Sequence, residues 1–178
     1  GLGAWKKYGR SNAERMIVWA YGSGARPQLR TGAASALKCD GGGGTPSHLH
    51  SLTFSGLHFY AHTRDTDGQF FSGKSGSPGV QWLRHATDVT FDDCLIQSYH
   101  NGLNVQNYDR TGITRFVVSR CVIIDSYSGS GSHSQGIYAS GVDGLVIEDC
   151  VFDKNGWNDK ADAPPTIFNH NIYLQHDN

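Results

Sequence analysis

Three histidines stand at matching points of the chain, each just ahead of a short alternating stretch: His100 before Asn101, His133 before Ser134-Gln135, and His170 before Asn171. The stretches that follow, or correspond, are Gly79-Val80-Gln81-Trp82-Leu83, Gly102-Leu103-Asn104-Val105-Gln106, Gly136-Ile137-Tyr138-Ala139-Ser140 and Asn171-Ile172-Tyr173-Leu174-Gln175. If the aliphatic residues point inward, strand alternation turns two columns outward. One is Gln81, Asn104, Tyr138, Tyr173; the other is Leu83, Gln106, Ser140, Gln175. Amides and hydroxyls exchange hydrogen bonds with sugar hydroxyls, and aromatic rings stack on the apolar faces of pyranoses. Such a face is expected to bind a sugar chain, and the plainer alternative is a solvated sheet on which Tyr138 and Tyr173 stack on each other.

Chemistry on that face depends on which groups accompany it. Glycoside hydrolysis needs two carboxylates across the scissile bond, and the outward columns hold none; a hydrolase would draw on loop acids such as Asp125, Asp153 or Asp162. Removing the C5 proton of a uronate needs a base, an acid and a cation for the carboxylate. His133, Tyr138, His170 and Tyr173 are the acid–base candidates, with Arg84, Lys74 and Arg110 as cations. Gln81, Asn104, Gln106, Ser140 and Gln175 complete the expected substrate-binding set.

The elements that position these residues come from a repeat. Leu145 and Ile147, a polar break at Glu148-Asp149, then Cys150 and Phe152 form one figure. It recurs as Phe116, Val118, Cys121, Ile123, as Val89, Phe91, Cys94, Ile96, and as Leu52, Phe54, Leu57, Phe59. The spacing is about 30 residues, the scale of a solenoid repeat. Period-2 alternation on both sides of each break means two short strands around a polar corner. With the Gly-Ile-Tyr type strand this gives three strands per turn, and stacked turns make a parallel β-helix. Leu57, Cys94, Cys121 and Cys150 then form one inward ladder, so the cysteines read as buried free thiols and not as disulfides.

This pattern resembles the right-handed parallel β-helix superfamily typified by pectate lyases, from about Met16 to the C-terminus. The resemblance implies an all-β, single-stranded solenoid of about five turns. It implies no single activity, because lyases, hydrolases, epimerases, esterases and tailspikes share the architecture. In its terms the Gly-Ile-Tyr strands are the first sheet, and the strands before and after the polar corner are the second and third. Calcium assists many such proteins; Asn107-Tyr108-Asp109 and Asp159-Lys160-Ala161-Asp162 carry hard oxygen ligands, though neither has a calcium-loop spacing.

The connection after the third strand varies most: about 60–79, 97–101, 124–135 and 153–170. Three of these are long, leave the same corner, and are expected to wall the face. Residues 1–50 read as an irregular first turn or cap and 51–178 as regular turns of one domain. Gly41-Gly42-Gly43-Gly44 is a flexible loop with no phosphate-binding context.

The 178 residues carry a net charge of −1 and 23 glycines, which suits a turn-rich β protein and points away from nucleic acid. No stretch is apolar enough to span a membrane. The expected function is therefore carbohydrate-active, a polysaccharide lyase or epimerase on an acidic glycan, with a non-catalytic glycan-binding or structural solenoid as the alternative. The expected setting is extracellular or periplasmic. Because Ile172 and Leu174 would lack a following turn, further turns, another chain or a second copy are expected over that end.

Overall fold

A computed structural model of the chain describes residues 1–40, 46–108 and 110–176. The glycine run at 41–44, Asp109 of the first calcium candidate, and Asp177-Asn178 lie outside the described residues.

The chain is a right-handed parallel β-helix with three sheets, all of whose pairings are parallel. The first sheet runs β1 (Gly3–Ala4), β4 (Leu37–Cys39), β7 (Val80–Trp82), β10 (Leu103–Gln106), β13 (Ser134–Ser140), β17 (Asn169–Gln175). The second holds β2 (Met16–Trp19), β5 (His48–Ser55), β8 (His85–Asp92), β11 (Ile113–Ser119), β14 (Val142–Asp143) and β15 (Val146–Glu148). The third holds β3 (Gln28–Arg30), β6 (His58–Tyr60), β9 (Leu95–Gln97), β12 (Val122–Ile124) and β16 (Val151–Asp153).

The register matches the alternation. Asn104 sits between Gln81 and Tyr138, and Tyr138 pairs with Tyr173. Cys94 and Cys121 are buried and all cysteines are free; Cys94 N–H donates to Cys121 Sγ at 3.4 Å, and Cys121 N–H to Cys150 Sγ at 3.4 Å. The ladder is thus vertical, although Cys150 is only half-buried. Cys39, which the repeat leaves unassigned, is buried in β4 opposite Trp82.

Inside, Phe54 stacks on Phe91 at 5.0 Å and Phe91 on Phe116 at 5.7 Å. Trp5 closes this column edge-on at 5.2 Å from Phe54, so the N-terminal segment does cover the core. β17 is the outermost strand of its sheet, and Ile172 and Leu174, expected inward, are 41% and 56% exposed.

Second-sheet strands are longer than the repeat predicts, because they continue upstream through a kink. At that kink Ser51, Asp88, Arg115 and Gly144 stack, all with positive φ. The polar corner is a second such column, Gly56, Asp93, Arg120 and Asp149, and the end of the third sheet is a third, Ser98, Asp125 and Lys154. A left-handed residue turns the chain sharply within one position, so each turn is bent at three stacked corners. Asp88 is buried beneath two guanidiniums, Arg15 and Arg115, which ties the N-terminal segment to β8 and β11.

Candidate functional site

The outward columns of β10, β13 and β17 floor a cleft of about 380 Å³. Asn104, Gln106, Tyr138, Tyr173 and Gln175 line it from the sheet, as alternation predicts. His133, Asn101 and Gln135 line it from the loop side. Gln106 Nε2 donates to Asn104 Oδ1 at 2.6 Å, and the Tyr138 hydroxyl to Gln175 Oε1 at 3.0 Å. Tyr138 and Tyr173 stack at 5.5 Å with an 18° tilt, and His170 stacks on Tyr173 at 5.3 Å. The plainer expectation of a tyrosine pair is therefore met, and the pair forms an aromatic surface in the cleft.

Close backbone approach places these strands. A Cβ on Gly102 would stand 2.5 Å from the Gly136 carbonyl, and one on Gly136 2.5 Å from the Asn171 carbonyl. Only glycine lets successive turns meet there. Buried polar groups hold the loop side: Ser134 Oγ donates to the His100 carbonyl at 2.6 Å, Gln135 N–H to Asn101 Oδ1 at 2.9 Å, and Gln135 Nε2 to the Phe168 carbonyl at 2.9 Å. His133 lies against the Phe168 ring at 4.6 Å. His100 Nε2 donates to the His133 carbonyl at 2.6 Å, which fixes its tautomer.

The other expected site residues lie elsewhere. Gln81 continues its outward column past Asn104, and Ser140 stands in register between Gln106 and Gln175, but neither lines the cleft. His170 flanks it through Tyr173 without lining it. Arg84 follows β7, where its carbonyl accepts from the Trp82 indole at 3.1 Å. Arg110 is exposed in the turn after β10, and its N–H donates to the Asn107 carbonyl at 3.2 Å. Lys74 faces Asp162 at 3.5 Å and lines a neighbouring cavity of about 230 Å³ with His100, Ser128 and Ser130. Among the described residues no carboxylate, lysine or arginine lines the cleft.

The wall beside the cleft is organised by Arg64, which the sequence does not single out. It is 1% exposed, and its guanidinium donates to the carbonyls of Ser98 (2.9 Å), Tyr127 (2.5 Å) and Lys74. One side chain thus joins the 60–79 loop, the 97–101 turn and the 124–135 loop. The third long loop is tied in by Thr66 with Asn158 and by the Lys160–Asp67 ion pair.

Residues 159–162, the second calcium candidate, form the turn that follows Asn158. Asp162 N–H donates to the Asp159 carbonyl to close a 3-10 turn, and the Asp162 carboxylate faces Lys74. Among the described residues no group of three or more His, Cys, Asp or Glu converges on a metal.

Neither family models, curated proteins nor solved structures give a significant match to this chain. The architecture is established by its sheets and register.

Proposed function

We propose that this β-helix binds a carbohydrate chain along the first-sheet face, centred on the cleft between Asn104 and Gln175. The observation that carries the reading is the lining itself: five amides, an imidazole and two phenols that stack on each other, all facing one cleft. Hydroxyl-rich ligands match that set, and a solenoid gives them a long concave floor. The repeat's likeness to pectate lyases belongs to this reading as analogy. The primary role is binding. Uronate chemistry needs a cation at the reacting sugar, and Arg84, Lys74 and Arg110 all stand off the cleft.

One observation favours a lyase or epimerase as the second reading. His133 and Tyr138 share the cleft, and the Lys74 cavity adjoins it through His100. A panel of neutral and uronate polysaccharides tests both, with retention on immobilised glycan read beside ultraviolet absorbance from a new 4,5-double bond. Retention without absorbance supports binding, and absorbance establishes the lyase. Tyr138→Ala and His133→Ala are expected to weaken retention at least tenfold while the melting temperature stays within about 2 °C. Absence of retention and absorbance on every glycan rejects the proposal.

A further inference from the structure

A separate pocket of about 230 Å³ opens on the other flank of the loop wall, beside the third sheet. Two long loops and two strand ends build it. Asp67 comes from the 60–79 loop, Trp157 and Asp159 from the 153–170 loop, and Asp125 and Lys154 from the ends of β12 and β16. Contacts between the two loops hold its walls. Asn158 Nδ2 donates to the Thr66 hydroxyl at 3.2 Å, and Lys160 pairs with Asp67 across the gap. A preformed site avoids the ordering cost of binding.

With Asp67 and Lys160 paired to each other, the groups left for a ligand are the Trp157 ring, Asp125, Lys154 and Asp159. Trp157 is 37% exposed, unlike Trp82, which is buried in the core. Asp125 and Lys154 share the third left-handed column, at φ 59° and 49°, and this aims successive side chains from one corner. Gln97 Nε2 donates to Asp125 Oδ2 at 3.2 Å and orients the carboxyl. Burial raises the Asp125 pKa, so the group keeps its proton, and its capacity to donate as well as accept, to higher pH than an exposed carboxyl would.

An indole plane beside carboxyls and an ammonium is a partner set for one pyranose, with its apolar face on the ring and its hydroxyls on the polar groups. The first-sheet cleft differs in each respect: it is larger, its rings are tyrosines with one imidazole, and among the described residues no carboxylate, lysine or arginine lines it. We infer that the Trp157 pocket is a second carbohydrate site, taking a single sugar ring, on the opposite side of the loop wall from the first-sheet cleft. It stands on its own residues and survives failure of the first-sheet reading.

The experiment is intrinsic tryptophan fluorescence of the full chain during titration with glucose, galactose, mannose, N-acetylglucosamine and glucuronate. At least one sugar is expected to shift the emission, with the response lost in Trp157→Phe and the affinity weakened at least tenfold in Asp125→Ala. Tyr138→Ala should leave it unchanged. Asp125→Asn, which keeps an acceptor for Gln97, serves as the folded control, with its melting curve as the check. No response to any of the sugars overturns the inference. So does a response that persists in Trp157→Phe, or one that Tyr138→Ala removes.

Discussion

The Arg64 guanidinium lies 4.2 Å over the Tyr127 ring, while the Tyr127 hydroxyl donates back to the Arg64 carbonyl at 2.7 Å. Each residue thus satisfies the other's buried polar group, and together they clasp two long loops. Burial pushes the guanidinium pKa down, and three carbonyls and a π face compensate for the lost water. Arg64→Met is expected to cost roughly 3 kcal/mol in urea unfolding, because it strands buried carbonyls. Arg64→Lys, with one ammonium in place of a fork, should recover less than half. Limited proteolysis should then begin within 60–79 in either variant.

Gly102→Ala is expected to cost more than about 3 kcal/mol or to prevent folding. Its methyl would meet the Gly136 carbonyl and the Ile123 side chain, both at 2.5 Å. Soluble yield and thermal melting measure this, and Gly131→Ala is the control. Nothing lies within 4 Å of a Cβ there, so only the strain of φ +69° should register.

The thiol ladder predicts labelling behaviour. Burial raises the Cys39 pKa, and the Cys94 contact with burial raises that of Cys121, so neither presents a thiolate. A thiol reagent should leave Cys39, Cys94 and Cys121 silent in the native protein, modify Cys150 slowly, and reach all four cysteines in urea. Cys121→Asp, which places a charge without a partner in the core, should give no folded protein.

Acid should weaken the fold through His48. Its ring stacks on His85 at 3.9 Å and neighbours His50 at 5.1 Å, and burial followed by these imidazoles lowers its pKa below the usual 6.5. The unfolded chain therefore takes the proton first. The stabilisation is present above about pH 6.5 and is lost as pH falls toward the lower folded value. Comparing melts near pH 8 and near pH 5, the wild type should lose more than His48→Gln. Asp125 acts with the opposite sign. Its raised pKa disfavours folding once the unfolded carboxyl ionises above about 3.8, so Asp125→Asn should raise the neutral-pH melting temperature by about a degree or two.

Most of the fold is legible in the sequence, because period-2 alternation repeats four times and register follows from it. Asn104, Gln106, Tyr138, Tyr173 and Gln175 meet in one cleft for that reason. What escapes is set by backbone conformation and long-range contact. The kink at Ser51, Asp88 and Arg115 is hidden, since these residue types are unremarkable and only their φ values mark the turn. Arg64 reads as an ordinary loop cation beside Asp65, and its burial depends on carbonyls up to 63 residues away. Likewise, the cations expected at the face are placed by loops whose paths no periodicity encodes.

The pairing of Asn104, Tyr138 and Tyr173 across adjacent strands has a metrical consequence. Backbone hydrogen bonds hold neighbouring turns about 4.8 Å apart, and no side-chain substitution can alter that interval. The first sheet is therefore a ruler with fixed divisions and interchangeable markings. A polymer laid along it must match the interval or drift out of phase within a few units. Selection among polymers can then act only on the symbols written at each division, an amide, a phenol or a hydroxyl.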